Sequence, residues 1–203
     1  TILLYFVLVL IGQLLLGNYF HSSNKIVATT SQIGLYVILL GGLAFVYRKK
    51  LMSDARNFKK EYVGIALRNW VCGLILMMLT NILIMSFVKD IAANESLKRE
   101  LLNNYPISNI ITMIILGPMI EEITFRLSFK NAFDKWYTFA LVTALFFGLA
   151  HIAEFNLLEF LFIIPYGALG FFFAKAMYQT DNIYTSFIMH MTHNAMCVLL
   201  LLI

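Results

Sequence analysis

Residues 107–126 read ISNIITMIILGPMIEEITFR, an apolar run that ends in two adjacent carboxylates and a basic residue. A run of this length matches the roughly 20 residues with which an α-helix crosses the hydrocarbon core of a bilayer. Charged side chains inside such a run are costly, and they usually mark a functional site or an internal ion pair. The stretch therefore predicts a membrane-spanning helix that carries a polar site.

The composition of the whole chain places this helix in a membrane protein. Of the 203 residues, 61% are hydrophobic and 13% are charged, and the mean hydropathy is +0.81. Soluble domains have about 45–50% apolar and about 25% charged residues, so this composition excludes an ordinary soluble domain. We predict an all-α polytopic membrane helix bundle, surrounded by lipid, with about seven transmembrane helices. The candidate spans are residues 2–20, 27–47, 69–88, 107–127, 137–153, 155–176 and 183–203.

The basic residues predict the orientation of the bundle. The chain has 15 Lys and Arg against 11 Asp and Glu, a net charge of +4. The Lys and Arg residues cluster in the connection after the second span. Because successive spans cross in opposite directions, most of the remaining Lys and Arg residues lie on the same side of the membrane. The positive-inside rule predicts that this side is cytoplasmic. We expect a multi-pass protein of the cell membrane, most consistent with a bacterial plasma membrane. No basic stripe runs along a helix, which argues against a nucleic-acid partner.

We expect residues 1–203 to form a single integral membrane domain. Residues 1–106 would supply N-terminal helices and the basic cytoplasmic loop, and residues 107–203 would carry the chemistry. Residues 53–61 fit either an interfacial helix or a solvated loop. Residues 89–106 predict an external amphipathic helix that caps the bundle or contacts a partner. The two cysteines, Cys72 and Cys197, form neither a disulfide framework nor a metal-binding pair.

Three polar motifs lie in the second half of the chain. In the first, Glu122 and Arg126 are four residues apart and can form an ion pair along one helix face. Glu121 is turned about 100° away from Glu122 and needs a different partner, so we assign it a functional role. Pro118 removes a backbone hydrogen bond and can kink the helix just before this pair.

The second and third motifs contribute histidines. Residues 147–151 read FGLAH and end in His151, and residues 190–194 read HMTHN. A single histidine in a helix is usually a packed core residue, so His151 alone is weak evidence. A hairpin that turns near Trp136 would nevertheless place His151 beside Glu121. His190 and Asn194 share a helix face, whereas His193 points elsewhere and is expected to support the site.

These residue types suit the activation of water for attack on a carbonyl group. A buried glutamate can act as a general base, a histidine can relay the proton, and a histidine with an asparagine can donate hydrogen bonds to an oxyanion. The same side chains can also bind a metal ion. The HExxH pattern is absent, however, and a carboxylate with two separated histidines and an amide is a weak metal-ligand set.

Taken together, the three motifs resemble those of the CAAX-protease and bacteriocin-processing enzyme family, also called the Abi family of intramembrane glutamic endopeptidases. The resemblance covers residues 107–203, about half of the chain. It implies a multi-helix intramembrane fold, no metal or other cofactor, and a peptide or membrane-protein substrate. It also implies that Glu121 activates water with the help of His151 and that His190 and Asn194 bind the oxyanion. Structural roles are expected for Glu122, Arg126, Phe147 and His193.

Two other functions remain open at this stage. The bundle can act as a membrane scaffold that binds and orients a cell-envelope protein, such as a peptidoglycan-modifying enzyme, because a fold can be kept when its catalytic activity is lost. Intramembrane carboxylates and histidines also relay protons in transporters, although the chain lacks the internal repeat that transporters often show. Intact motifs favour the endopeptidase.

Overall fold

The computed structural model describes residues 24–88, 92–154 and 156–202, and within these ranges every regular element is helical. The predicted all-α membrane helix bundle is therefore confirmed. The candidate span at residues 2–20 lies outside the described residues. The main helices are α1 (Lys25–Arg56), α2 (Glu61–Met85), α3 (Ala93–Asn104), α4 (106–127), α5 (Trp136–Leu149), α6 (Ile163–Thr180) and α7 (Ile183–Leu202).

Among the described residues, three stretches of helix are long and apolar enough to cross a membrane, namely Ile26–Arg56, Glu61–Met85 and Glu159–Thr180. In the first two, only 17% of the most apolar window is buried inside the protein, against 50% in the third. Exposed apolar surface of this extent is stable in lipid and unstable in water. These helices therefore mark a membrane protein, in which α1 and α2 present most of their surface outward and α6 lies more centrally.

The α1–α2 connection differs from both alternatives expected for residues 53–61. Ser53 to Arg56 form the last turn of α1, and α2 already begins at Glu61. The cause is Asp54, which is buried, pairs with Lys50 at 2.9 Å and accepts a hydrogen bond from the Ile183 backbone N–H at 3.0 Å. The side chain thus caps the start of α7 and fixes the end of α1 against it.

The start of α6 is also later than expected. A span was predicted from residue 155, but α6 begins at Ile163 after a 3₁₀ turn, Glu159–Phe162. The side-chain oxygen of Asn156 accepts hydrogen bonds from the N–H groups of Leu158 and Glu159, at 3.1 and 2.9 Å. This local capping holds the chain in a tight turn and delays the helix.

The helix α6 packs closely against α5. A Cβ atom built on Gly148 would lie 2.7 Å from the carbonyl oxygen of Ile163, so a residue with a side chain would push the two helices apart. Small residues permit such close approach between membrane helices. The contact fixes the C-terminal end of α5, from which the chain continues to His151.

The predicted amphipathic helix at residues 89–106 is confirmed as α3, and it packs on its own chain. The carboxylate of Glu159 accepts a hydrogen bond from the Ala93 N–H at 2.8 Å. The amide of Asn94 donates to the hydroxyl of Tyr166 at 3.3 Å, and the amide of Asn109 donates to the carbonyl of Leu101 at 3.0 Å. Both ends of α3 are thereby fixed across one end of the bundle.

Candidate active site

A cavity of about 460 Å³ lies between the helices, and each of α1 to α7 contributes to its wall. Six of the residues selected from the sequence line it: Glu121, Phe147, His151, His190, His193 and Asn194. Glu122 and Arg126 lie behind the wall and are fully buried. The structure therefore separates the residues that can meet a ligand from those that support them.

The supporting part of the site is the predicted ion pair of Glu122 and Arg126. Nη1 of Arg126 lies 3.1 Å from Oε1 of Glu122, and both side chains have no solvent exposure. Two unit charges in such a dry place are costly unless each is neutralised by a close partner. The i, i+4 pairing that the sequence predicted thus meets an electrostatic need inside the bundle.

The guanidinium of Arg126 packs tightly between α5 and α6. Nη2 donates a hydrogen bond to the carbonyl of Gly170 at 3.2 Å, and the guanidinium carbon lies 4.3 Å from the ring centre of Phe147. A Cβ atom on Gly170 would lie 2.9 Å from Cδ1 of Phe147 and 3.1 Å from Nη2 of Arg126. Gly170 therefore leaves room for both side chains. The aromatic ring adds a cation–π contact in a desolvated place.

Glu122 also orients His190. Nδ1 of His190 lies 2.9 Å from Oε1 of Glu122, so Nδ1 carries the proton and donates it to the carboxylate. The imidazole is held in addition by the rings of Phe173 and Phe147, at centroid distances of 4.9 and 5.5 Å. Nε2 of His190 is consequently the nitrogen that faces the cavity.

His151 is oriented by its own helix. The chain leaves α5 after Leu149, and Nδ1 of His151 lies 2.8 Å from the carbonyl oxygen of Phe147, one turn back. Histidine commonly satisfies a free carbonyl at the end of a helix in this way. The bond assigns the proton to Nδ1 and leaves the lone pair on Nε2. Tyr166 from α6 stacks on the imidazole at a centroid distance of 4.7 Å.

Glu121 lies close to both histidines. Oε2 of Glu121 lies 3.9 Å from Nε2 of His151 and 3.8 Å from Nε2 of His190. Both distances are too long for a direct hydrogen bond and are of the size that a bridging group spans. Among the described residues this buried oxygen has no hydrogen-bond partner, although a buried carboxylate normally has one.

The helix α4 presents Glu121 and Glu122 between two irregular turns. Segments Thr112–Leu116 and Ile123–Leu127 are π-helical, and Gly117–Glu122 between them is α-helical. Single π turns are rare and often occur at functional sites. They set the direction in which the short α-helical segment points its two carboxylates.

Asn194 stabilises the first π turn. The Gly117 N–H donates to the carbonyl of Thr112, and Pro118 has no N–H, so α4 provides no donor for the carbonyl of Met113. The side-chain amide of Asn194 donates to this carbonyl at 2.7 Å. Asn194 therefore compensates for Pro118, and its second amide hydrogen is left for other partners. The predicted role of Asn194 in binding an oxyanion stays a prediction.

His193 lies beside the site without a contact to Glu121 among the described ion pairs. Its Nε2 is 3.5 Å from Sγ of Cys197, and its buried Nδ1 has no hydrogen-bond partner in the described part of the chain. The side chain still lines the cavity. The supporting role predicted for His193 stays a prediction.

Sequence reasoning missed the contribution of α1 to the cavity. Gln32 and Tyr36 line the cavity wall, and Nε2 of Gln32 donates to Oδ1 of Asn109 on α4 at 3.0 Å. A signal was present, because these two polar groups are four residues apart on one face of a predicted span. It was too short to separate a site from ordinary packing between helices.

The match to known families falls on the same half of the chain as the motifs. Residues 103–196 match the family model described as Rce1-like, type II CAAX prenyl endopeptidase. The match covers 94 of the 203 residues, and over this range the chain is similar to that family. Searches of curated proteins and of solved structures gave no match.

The resemblance predicted from the three motifs is thus confirmed, since all of them lie inside the matched range. The Rce1-like match supports CAAX-type intramembrane protease activity in general. With the apolar helices, it also indicates a lipid environment and a peptide substrate. Gln32 and Tyr36 lie outside the matched range.

Proposed function

We propose that the protein is an intramembrane endopeptidase in which Glu121 activates a water molecule to cleave a peptide bond. The observation that carries the proposal is the position of the Glu121 carboxylate, which lines the cavity with its Oε2 at 3.9 and 3.8 Å from the Nε2 atoms of His151 and His190. Glu122 has closer partners, Arg126 at 3.1 Å and His190 at 2.9 Å, and does not line the cavity. A carboxylate at the cavity wall between two imidazoles favours chemistry over a purely structural or scaffolding role.

The step is a direct hydrolysis. A water molecule held between Glu121 and His151 gives one proton to the carboxylate while its oxygen attacks the carbonyl carbon of the substrate. The carbonyl π electrons move to the oxygen and form a tetrahedral oxyanion. When the C–N bond breaks, the proton held by Glu121 passes to the leaving nitrogen, so the products are a carboxylic acid and an amine.

The histidines have different tasks in this scheme. The free lone pair on Nε2 of His151 allows it to accept a hydrogen bond from the attacking water or to relay its proton. Nε2 of His190 can donate to an oxyanion only when the ring is doubly protonated, because Nδ1–H is already donated to Glu122.

The test is hydrolysis by purified protein in lipid vesicles. Wild type and Glu121→Gln are incubated with a library of prenylated CAAX peptides and unprenylated peptides, and new termini are identified by mass spectrometry in ¹⁸O-labelled water. We expect wild type to produce new termini with ¹⁸O in the new carboxylate. Loss of the general base in Glu121→Gln is expected to slow cleavage by about 10²- to 10⁴-fold.

The matched control is Glu61→Gln, the same chemical change at the exposed start of α2, where the side chain is 68% accessible. This variant is expected to cleave like wild type. Cleavage by Glu121→Gln at the wild-type rate, or no cleavage by wild type, would overturn the proposal. Either result would direct attention to a protein that works by binding a partner.

A further inference from the structure

The proposed reaction needs hydrogen-bond donors at the developing oxyanion, and the histidine side of the cavity provides few. The Nδ1–H of His190 is donated to Glu122, and one amide hydrogen of Asn194 is donated to the carbonyl of Met113. The nitrogens that face Glu121 from His190 and His151 carry lone pairs in the neutral rings. A donor from another wall of the cavity would complete the site.

Tyr36 on α1 provides a free hydroxyl at the right place. It lines the same cavity as Glu121, His151 and His190, and within the described residues its hydroxyl forms no hydrogen bond or ion pair. A point one Cβ bond length above the backbone of Gly117 lies 3.7 Å from Cε1 of Tyr36 and 3.8 Å from Oε1 of Glu121. Cε1 neighbours the carbon that bears the hydroxyl, so this edge of the ring borders the same space as the carboxylate.

Gly117 keeps this space open. A side chain at this position would enter the gap between Tyr36 and Glu121, and its Cβ atom would lie only 2.8 Å from the carbonyl oxygen of Thr112. Because glycine has no Cβ, a substrate backbone can approach α4 at this point. The carboxylate of Glu121 and the ring edge of Tyr36 thus border the same part of the cavity, beside Gly117.

The position of Tyr36 is fixed by neighbours on both sides along α1. One turn before it, Gln32 donates to Asn109 of α4 at 3.0 Å. About one and two turns after it, Leu39 and Leu43 are buried in a core cluster that includes Ile120 and Ile123. The ring of Tyr36 packs against the same cluster. A donor held this rigidly loses little freedom when it binds a charge, which is the requirement for stabilising a transition state.

We propose that the Tyr36 hydroxyl donates a hydrogen bond to the oxygen of the scissile carbonyl and stabilises the oxyanion of the tetrahedral intermediate. This role rests on the proposed endopeptidase activity. The water oxygen bonds to the carbonyl carbon, its proton passes to Glu121, and the π electrons move to the oxygen that Tyr36 faces. Tyr36 keeps its own proton throughout and is neither a base nor a nucleophile.

The test compares Tyr36→Phe with wild type in lipid vesicles, using a peptide that wild type cleaves and a phosphinate analogue of that peptide. Phenylalanine keeps the ring and its packing and removes only the hydroxyl. Loss of one oxyanion donor is expected to lower kcat by about 10²-fold with KM nearly unchanged. Because the phosphinate resembles the tetrahedral anion, its affinity should fall about as much as kcat, while the affinity of the uncleaved parent peptide should stay the same.

Tyr62→Phe is the matched control, because this tyrosine lies at the start of α2 beside Phe58 and Lys59 and does not line the cavity. It should retain wild-type kcat and phosphinate affinity. The inference is overturned if Tyr36→Phe has wild-type kcat and phosphinate affinity while Glu121→Gln is inactive. If Glu121→Gln cleaves normally or wild type cleaves nothing, the proposed function fails together with this role.

Discussion

The two sides of α4 at Glu121 and Glu122 differ in exposure and in charge pairing. Toward α6 and α7, Glu122 is fully buried and is paired with both Arg126 and His190, at 3.1 and 2.9 Å. Toward the cavity, Glu121 is 23% accessible, and its Oε2 lies 3.9 and 3.8 Å from the imidazoles of His151 and His190. Adjacent positions in one helix therefore separate the stability of the site from its reactivity.

This difference shows how a bundle can hold reactive groups without losing its fold. Local rules of charge pairing are usually obeyed throughout a protein and broken at functional sites. Here Glu122 has a close charged partner and holds the ring of His190 by a hydrogen bond. Glu121 has no partner that close among the described ion pairs, although it lies 3.8 Å from the same ring. The stable carboxylate thus orients a partner for the reactive one.

The largest expected effect comes from breaking the buried pair. Arg126→Leu leaves the Glu122 carboxylate without its guanidinium, and removal of one partner of a buried pair costs about 3–5 kcal/mol of unfolding free energy. Thermal or chemical unfolding in detergent measures this loss. Arg68→Leu, a substitution at an exposed position on α2, serves as the control and should cost far less. Equal losses in the two variants would show that the buried pair does not stabilise the bundle.

The next effect concerns the π turn that positions both carboxylates. Pro118→Ala restores an N–H that can donate to the carbonyl of Met113, and Asn194→Leu removes the present donor. Asn194→Leu alone should cost about 1–3 kcal/mol because a buried carbonyl loses its partner. In the Pro118→Ala background the cost should be smaller by about 1 kcal/mol. If the changes in unfolding free energy of Pro118→Ala and Asn194→Leu simply add in the double variant, Asn194 does not compensate for Pro118.

A smaller effect of opposite sign is expected at Glu121. Glu121→Gln removes a partly buried charge and supplies an amide that can donate to an imidazole nitrogen, so stability should stay constant or rise by up to about 1 kcal/mol. Glu122→Gln should instead destabilise the protein. The comparison of the two unfolding midpoints checks this. A loss for Glu121→Gln as large as that for Glu122→Gln would remove the distinction between the two sides of α4.

The smallest effect is a pH dependence at the other end of the bundle. Partial burial raises the pKa of Asp181, but hydrogen bonds and charge from Lys130 and Lys50 outweigh it and hold the pKa below its ordinary value. The stabilisation is therefore present above the unfolded-state pKa, about 4, and is lost as pH falls below it. Its size should be about 0.2–1 kcal/mol, because the side chain is largely exposed.

Asp181→Asn isolates this charge, because Asp181 has a left-handed backbone with a φ of 48° that asparagine also tolerates. The variant should unfold at a lower temperature than wild type at pH 6, and the two should converge at about pH 3. A difference that is independent of pH would mean that the backbone, and not the ion pair, accounts for the effect.

The sequence predicted the parts of the site that depend on spacing within one helix. The pairing of Glu122 with Arg126 and the different direction of Glu121 both follow from 3.6 residues per turn. The approach of His151 to Glu121 followed from equal distances to a turn near Trp136. The start of α6 was wrong because a side-chain cap at Asn156 overrode the apolar pattern that runs through residues 155–162.

Contacts between distant helices could not be predicted in the same way. Periodicity shows which face of α1 carries Tyr36, but not that α4 lies against that face. The bond from Asn194 to Met113 depends on an orphan carbonyl in a π turn, and hydrophobic patterns do not reveal π turns. Asp54 likewise fitted either an interfacial helix or a solvated loop, because its partner, the start of α7, is more than a hundred residues away in sequence.

The two π turns also allow the number of residues in α4 to change without a change in the direction of its side chains. A turn closed by i to i+5 hydrogen bonds holds one more residue than an α-helical turn. One residue can therefore be lost from Thr112–Leu116 if the turn becomes α-helical, with Glu121 still facing the cavity. The same loss within Gly117–Glu122 would turn Glu121 by about 100°. A one-residue deletion is thus expected to be tolerated in Thr112–Leu116 but to abolish the site in Gly117–Glu122, only a few residues further along the chain.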